Sequence, residues 1–255
     1  MVFCGKPLKS DKFGSKFSFT EDLEIITTTD GKKALIIRDL LLEIRAGHPE
    51  KFAQSLNFQC TTEFNRNFGL GTSSTLISLL SQWGDVDAYE LLEKSFGGSG
   101  YDVAVATASG PFLYSVEDRL KDSISIPSSL TNHILFVYLG KKQKSDQSVL
   151  RFQEIPTTEA QVEVMNDLIY RAATCYAIEE WEKLMEESEN LLSEILQLPK
   201  VKEKLFSDYP YAVKSLGAWG GDFVMATCRD VEQAKAYFSE RNYFPIYRYE
   251  EIAKK

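Results

Sequence analysis

The chain has 255 residues, which is enough for one large domain or two small ones with a substantial core. With 44% hydrophobic and 26% charged residues, it has the composition of a soluble globular protein. A formal net charge of -8 argues against a general nucleic-acid binder, because phosphate backbones are held mainly by clustered lysine and arginine.

Targeting and cysteine patterns favour a cytoplasmic protein without membrane contact. The N-terminus has too short an apolar core for a secretory signal, and no later run approaches membrane-spanning length. The cysteines lie far apart and include no Cys-x-x-Cys pair, so we expect reduced thiols instead of a disulfide framework or a zinc site. They are Cys4, Cys60, Cys175 and Cys228.

Periodicity predicts alternating strands and helices in the first half of the chain. Alternating apolar residues predict strands, whereas apolar residues three and four positions apart predict helices. The predicted strands are residues 16–20, 58–64, 102–108 and 112–115, with a short edge strand within residues 22–31. The predicted helices are residues 33–45, residues 73–82 and a segment capped by Asp87 that runs to about residue 95.

The second half follows a polar stretch, residues 118–132, where we expect the chain to cross between two lobes. Its predicted strands are residues 133–140, 211–216, 223–228 and 243–249. Its predicted helices are residues 157–176, 177–197 and 231–240. A run of acids in the second of these helices predicts a solvated outer face, made of Glu179, Glu180, Glu182, Glu186, Glu187 and Glu189.

The first glycine motif, residues 69–74, contains two glycines and three hydroxyl residues, and a fourth hydroxyl residue, Thr75, follows it before an apolar helical run. Glycine lets the backbone turn tightly, and the free N–H groups at the start of the following helix favour an anion such as phosphate. The hydroxyls can also reach a hard cation such as Mg²⁺. An ordinary capped helix after a turn is the alternative interpretation, since the Walker pattern with its Gly-Lys-Ser/Thr ending is absent.

Two further glycine clusters favour the phosphate interpretation. The second glycine motif, residues 97–102, reads Gly-Gly-Ser-Gly-Tyr-Asp and precedes a small, apolar run. The third glycine motif, residues 217–222, reads Gly-Ala-Trp-Gly-Gly-Asp and precedes another apolar run. Three glycine-dense loops that each adjoin regular structure are typical of a protein that brings its backbone close to a ligand.

Together the three motifs resemble those of the GHMP kinases, the superfamily that includes galactokinase, homoserine kinase, mevalonate kinase and phosphomevalonate kinase. Residues 69–74 are similar to its phosphate loop, residues 99–102 to its Ser-Gly-x-Asp segment, and the third motif to its late glycine turn. The segment Gly-Tyr-Asp-Val-Ala is similar to the corresponding segment of the GYDIA-type, mevalonate-kinase-like bacterial branch. The resemblance implies a two-lobed α+β fold, with a ribosomal-protein-like N-terminal lobe (residues 1–130) and a ferredoxin-like C-terminal lobe (residues 131–255).

The resemblance also implies transfer of the γ-phosphoryl group of ATP to a small alcohol, with mevalonate as the leading acceptor and Mg²⁺ as the cation. The implied nucleotide-binding residues are Gly69, Leu70, Gly71, Thr72, Ser73, Ser74, Gly217, Gly220 and Gly221. Ser73 is the implied hydroxyl ligand of Mg²⁺, and Glu90, or else Glu93, is our candidate for its carboxylate ligand. Asp102 is implied to accept the proton of the alcohol or to polarise its hydroxyl. As alternatives, both glutamates could be surface residues and Asp102 could cap a turn.

Departures from the family pattern define the competing hypotheses. The opening strand with a catalytic Gly-Lys motif is missing, and Gly5-Lys6 imitates it only superficially, so we expect a truncated first lobe whose exposed sheet edge could support a homodimer. Trp219 replaces a glycine of the third motif. The chain could therefore be a non-catalytic nucleotide-binding or scaffold protein. The basic loop with Lys141, Lys142 and Lys144 suggests, more weakly, a phosphomevalonate-kinase-like or decarboxylase-like relative.

Overall fold

A computed structural model describes residues 13–62, 64–65, 68–140, 150, 152–217, 219 and 222–253. The strands are β1 (Phe13–Phe19), β2 (Ile25–Thr28), β3 (Leu56–Thr62), β4 (Phe112–Tyr114), β5 (Lys121–Ser123), β6 (Ile134–Tyr138), β7 (Val213–Ser215), β8 (Phe223–Thr227) and β9 (Ile246–Arg248). The helices are α1 (Gly31–Gly47), α2 (Thr72–Gly84), α3 (Ala88–Glu93), α4 (Tyr101–Thr107), α5 (Ser128–Thr131), α6 (Glu159–Ala173), α7 (Ile178–Leu196), α8 (Val201–Leu205), α9 (Val231–Glu240) and α10 (Tyr249–Ile252).

The first half is built on an antiparallel sheet with the strand order β2-β1-β3. In β1 every second side chain is buried, which turns Phe17 and Phe19 toward α1 and α2. Helix α1 contributes Leu40, Leu41 and Ile44 to the same core. Among the described residues β3 pairs only with β1, so β3 forms one edge of the sheet. The homodimer that was predicted to form at an exposed sheet edge stays a prediction.

The second half is built on an antiparallel sheet with the strand order β7-β8-β6-β9. Ile134 and Phe136 of β6 face one hydrophobic cluster, which α6 and α7 cover, whereas Leu135 and Val137 face another, which α8 and α9 cover. This explains why β6 reads as a continuous apolar run, since both of its faces are buried. Along the described chain, no helix combines the length and apolar character needed to cross a bilayer.

Most of the predicted elements are confirmed, but residues 102–108 form helix α4 and not a strand. Gly100, with φ of 76°, precedes the helix, and Val103, Ala104 and Val105 are all buried. Consecutive buried residues hide the helical period, so a short apolar run cannot be assigned to helix or strand by pattern alone. The prediction was wrong because this helix is packed on more than one side.

The predicted solvated face of α7 is also wrong at one position. Glu189 is only 1% exposed. The buried stripe of the helix includes Ile178, Trp181, Met185 and Ser188, and Glu189 falls within it. The region of the predicted lobe crossing contains the β4–β5 hairpin and α5. No observation tests the division at residue 130, which stays a prediction.

Candidate functional site

The first glycine motif leads into α2, whose start is not capped by the side chain of any described residue. Gly69 and Gly71 have φ of 65° and 69°, in the left-handed region that glycine adopts without strain. Gly71 is the residue before α2, and among the described residues no side chain accepts a hydrogen bond from the first turn of the helix. Since these N–H groups and the helix dipole favour negative charge, the start of α2 can hold a phosphate.

The hydroxyl groups of this motif divide into two kinds. Ser74 is buried, and its Oγ donates to the carbonyl oxygen of Gly71 over 2.9 Å, as does Oγ1 of Thr75. These hydroxyls stabilise the turn. Among the described residues, the hydroxyls of Thr72 and Ser73 have no hydrogen-bond partner, and Ser73 is exposed. They remain available to a ligand.

The first and third glycine motifs touch. A Cβ atom placed on Gly69 would lie 2.1 Å from Oδ2 of Asp222, so only glycine fits here on grounds of both space and φ. Beside this contact, Phe68 packs against Tyr138 and Phe223, with ring centroids 4.8 Å and 5.9 Å apart. The first motif is thereby fixed against the sheet of the second half.

The rest of the third glycine motif is described in part. Gly217 has φ of 63° and is exposed. Trp219 also has a positive φ, 31°, which is strained for a residue with a side chain. Gly220 and Gly221 lie outside the described residues, so their predicted role stays a prediction.

The second glycine motif sets the start of α4. A Cβ atom on Gly100 would lie 2.8 Å from Cδ1 of Tyr89, and the hydroxyl of Tyr114 donates to the carbonyl oxygen of Ser99 over 3.0 Å. These contacts hold the turn from which Asp102 projects in the first turn of α4. Helix α4 packs against α2, so the helix that carries Asp102 lies beside the helix that follows the first motif.

Asp102 is exposed, yet neighbouring protein atoms displace part of its hydration, and this desolvation raises the pKa of its carboxyl above the ordinary range. Within the described part of the chain, no lysine or arginine forms an ion pair with Asp102. A carboxylate with a raised pKa is a stronger proton acceptor than an ordinary aspartate.

The two candidate carboxylates for Mg²⁺ differ in their surroundings. Glu93 pairs with Arg119, whose guanidinium lies 4.7 Å from the ring centroid of Tyr89. Glu90 is exposed on α3 and has no ion pair in the described chain. A nucleotide-bound Mg²⁺ needs only one or two protein oxygens, because phosphates and water supply the others. The exposed hydroxyl of Ser73 and the carboxylate of Glu90 are chemically suited to this, while their roles stay predictions.

A cavity of about 620 Å³ lies between the two halves of the chain. On one side α4 and the β4 hairpin form its wall, and on the other side α6, α7 and the sheet of the second half do so. Tyr101 and Val105 of α4 line it, so it adjoins the helix of Asp102. Pattern analysis did not indicate this cavity, because its walls come from segments far apart in the sequence.

An ion pair on the cavity wall joins half-buried Lys214 to buried Glu189. Nζ of Lys214 donates to Oγ of Ser188 over 2.8 Å and to Oε1 of Glu189 over 3.5 Å. Glu189 also accepts from the backbone N–H of Ser215, over 3.1 Å. Burial raises the pKa of Glu189 and lowers that of Lys214, and the attraction between them opposes both shifts.

Neither a family model nor a curated protein matches the sequence. Among solved structures, a mevalonate kinase matches with a TM-score of 0.59 at 15% identity, over 87% of this chain and 76% of its own. The mevalonate kinase of Methanococcus jannaschii matches with a TM-score of 0.58 at 16% identity, over 84% and 73%. The Lin0012 protein from Listeria innocua matches with a TM-score of 0.59 at 15% identity, over 86% and 79%.

The chain has the GHMP kinase fold. The fold implied by the three glycine motifs is therefore confirmed. Within this GHMP kinase fold, the structure brings the first motif against the third and sets α2 beside α4, the helix of Asp102. Sequence reasoning missed Glu189, Lys214 and Trp181. The buried stripe of α7 was the available signal, because continuing it from Met185 reaches Glu189.

Proposed function

We propose that this chain is an ATP- and Mg²⁺-dependent phosphotransferase that acts on a small alcohol, with mevalonate as the acceptor to test first. One observation carries the proposal. Gly69 of the first motif lies against Asp222 of the third, beside the start of α2, which no side chain of the described residues caps. Separate glycine turns that converge on free helix N–H groups provide the donors that a triphosphate needs.

Each part of the site has a role in phosphoryl transfer, which depends mainly on positioning and charge stabilisation. Bound ATP would supply the γ-phosphoryl group, which passes to the oxygen of the alcohol as ADP leaves. The backbone of Gly69 to Ser74 would hold the phosphates, with Gly217 on the opposite side. The hydroxyl of Ser73 and the carboxylate of Glu90 would hold Mg²⁺.

Asp102 would accept the proton that the hydroxyl of the acceptor loses. Its raised pKa, which results from desolvation, favours this role, because proton transfer is efficient when the pKa of the base approaches the working pH. Its place in the first turn of α4, a helix packed against α2, supports a position close to the bound phosphates.

The direct test measures ADP formation with ATP, Mg²⁺ and mevalonate, phosphomevalonate, galactose or homoserine in turn. We expect turnover with at least one acceptor, and Asp102→Asn should lower kcat by about 10²- to 10⁴-fold. Asp122→Asn is the matched control, since Asp122 is exposed on β5 outside the glycine motifs, and should leave kcat unchanged. Absence of turnover with every acceptor, together with absence of ATP binding in calorimetry, rejects the proposal.

The second candidate function is a protein that binds nucleotide without transferring phosphate. The observation that favours it is the absence, within the described chain, of a lysine or arginine paired with Asp102. ATP binding without ADP formation, and the same binding in Asp102→Asn, would support this function and contradict catalysis.

A further inference from the structure

The cavity between the two halves is enclosed mainly by aliphatic and aromatic side chains. Leu168, Leu184 and Met225 line it from the second half of the chain, and Val105 and Phe112 line it from the first. Its volume of about 620 Å³ lies within the range of ordinary small-molecule sites. Because such walls offer water few hydrogen bonds, an aliphatic ligand gains free energy by replacing water there.

Lys214 is the one charged residue among the described residues that line this cavity. Its ammonium group has three donors, and Ser188 and Glu189 account for two of them. Glu189 balances its charge, so the pair as a whole is neutral. A second carboxylate placed here would be buried without a cation of its own, whereas a neutral oxygen acceptor would not incur that cost.

The exposed lining residues of the cavity are two apolar side chains and one serine, Ser99. Val116 and Ile169 line the cavity and are 60% and 43% exposed. Exposed apolar side chains at the mouth of an apolar cavity favour a ligand whose body extends from the interior toward the surface. A compact, fully polar molecule would leave these walls without complementary contacts.

We propose that the cavity binds an amphipathic molecule with an aliphatic body and one neutral head group whose oxygen accepts a hydrogen bond from Lys214, such as a long-chain alcohol or ester. The aliphatic body contacts the apolar walls, and the neutral head completes the hydrogen bonds of the Lys214–Glu189 pair. This binding site goes beyond the proposed phosphotransfer and does not depend on it.

The first test compares decanol with decanoate by calorimetry at about pH 8, where an ordinary carboxylic acid is ionised. The two probes share their chain and differ in the head group. We expect decanol to bind about tenfold more tightly than decanoate, because only the acid adds an uncompensated buried charge. Equal or tighter binding of decanoate, or no binding of either probe, overturns the proposal.

Variants of α6 locate the binding. Ala172 lines the cavity, so Ala172→Phe should fill it and abolish decanol binding. Ala160→Phe, on the exposed part of the same helix, is the matched control and should bind decanol as the native chain does. If Ala172→Phe fails to fold, Ala108→Leu on the opposite wall replaces it. Unchanged binding in a folded, cavity-filled variant contradicts the proposal.

A double variant tests the head group. Lys214→Met with Glu189→Gln removes the donor without leaving an unpaired buried charge. We expect about fivefold weaker decanol binding in this variant, the size of one lost hydrogen bond. Undiminished affinity would show that Lys214 does not contact the head group and would contradict that part of the proposal.

Discussion

The first glycine motif and Lys214 on the cavity wall both offer hydrogen-bond donors to a ligand, but the two sites are built differently. In the motif the donors are backbone N–H groups, fixed by the left-handed φ of Gly69 and Gly71. In the cavity the donor is the side chain of Lys214 on β7, held by Ser188 and Glu189 of α7. Backbone donors are specified by neighbouring residues, whereas side-chain donors depend on tertiary packing.

The largest expected effect concerns the ion pair between Lys214 and Glu189. Glu189→Ala would leave the largely buried ammonium of Lys214 without its counter-ion, and would remove the acceptor for the backbone N–H of Ser215. We expect a loss of about 3–5 kcal/mol in the free energy of unfolding, measured by urea denaturation. Glu194→Ala, an exposed change on the same helix, should stay within about 0.5 kcal/mol. A small effect of Glu189→Ala would mean that the pair contributes little to folding.

The next effect concerns the glycine motif. Gly69→Ala places a methyl group against Asp222 at a positive φ, so we expect a loss of about 1–3 kcal/mol in stability and a loss of ATP binding. Gly47→Ala is the control, because Gly47 has open space around it at the end of α1. This variant should weaken neither stability nor ATP binding. Normal ATP binding by Gly69→Ala would contradict the proposed phosphate site.

These regions also show how far the sequence could predict the molecule. The glycine motifs, most strands and the long helices follow from local patterns, since turn geometry and amphipathic spacing lie within a few residues. Helix α4 was predicted as a strand because Val103 to Val105 are buried together. Glu189 was assigned to solvent by its acidic neighbours, although the stripe of α7 placed it inside. The cavity could not be predicted, because it depends on how distant segments pack.

A smaller effect is expected at Ser74, whose hydroxyl donates to the carbonyl oxygen of Gly71. Ser74→Ala should lower the free energy of unfolding by about 1 kcal/mol and weaken ATP binding modestly, because one turn-stabilising hydrogen bond is lost. Ser73→Ala should leave stability nearly unchanged, since its hydroxyl is exposed and has no partner in the described chain. A larger loss of stability in Ser73→Ala than in Ser74→Ala would contradict the assignment of Ser74 to the turn and of Ser73 to the ligand.

The smallest effect is a gain in stability. Desolvation raises the pKa of Asp102, so above the ordinary aspartate pKa of about 3.9 the unfolded chain loses this proton before the folded chain does. Stability therefore falls as pH rises through that window, and the loss persists above the folded pKa. Asp102→Asn should remove this loss of stability. The variant should then be more stable than the native chain near neutral pH, and as stable as the native chain below the window. Denaturation curves at several pH values measure this, and a less stable variant at neutral pH would contradict the assignment.

The central claim is that the first and third glycine motifs form one site for a triphosphate at the start of α2. The most direct measurement is a calorimetric comparison of ATP and adenosine binding, with Mg²⁺ present, to the native chain and to Gly69→Ala. The account predicts that the native chain binds ATP far more tightly than adenosine, and that Gly69→Ala loses this difference. Equal affinity for the two ligands, or binding of neither, would contradict it.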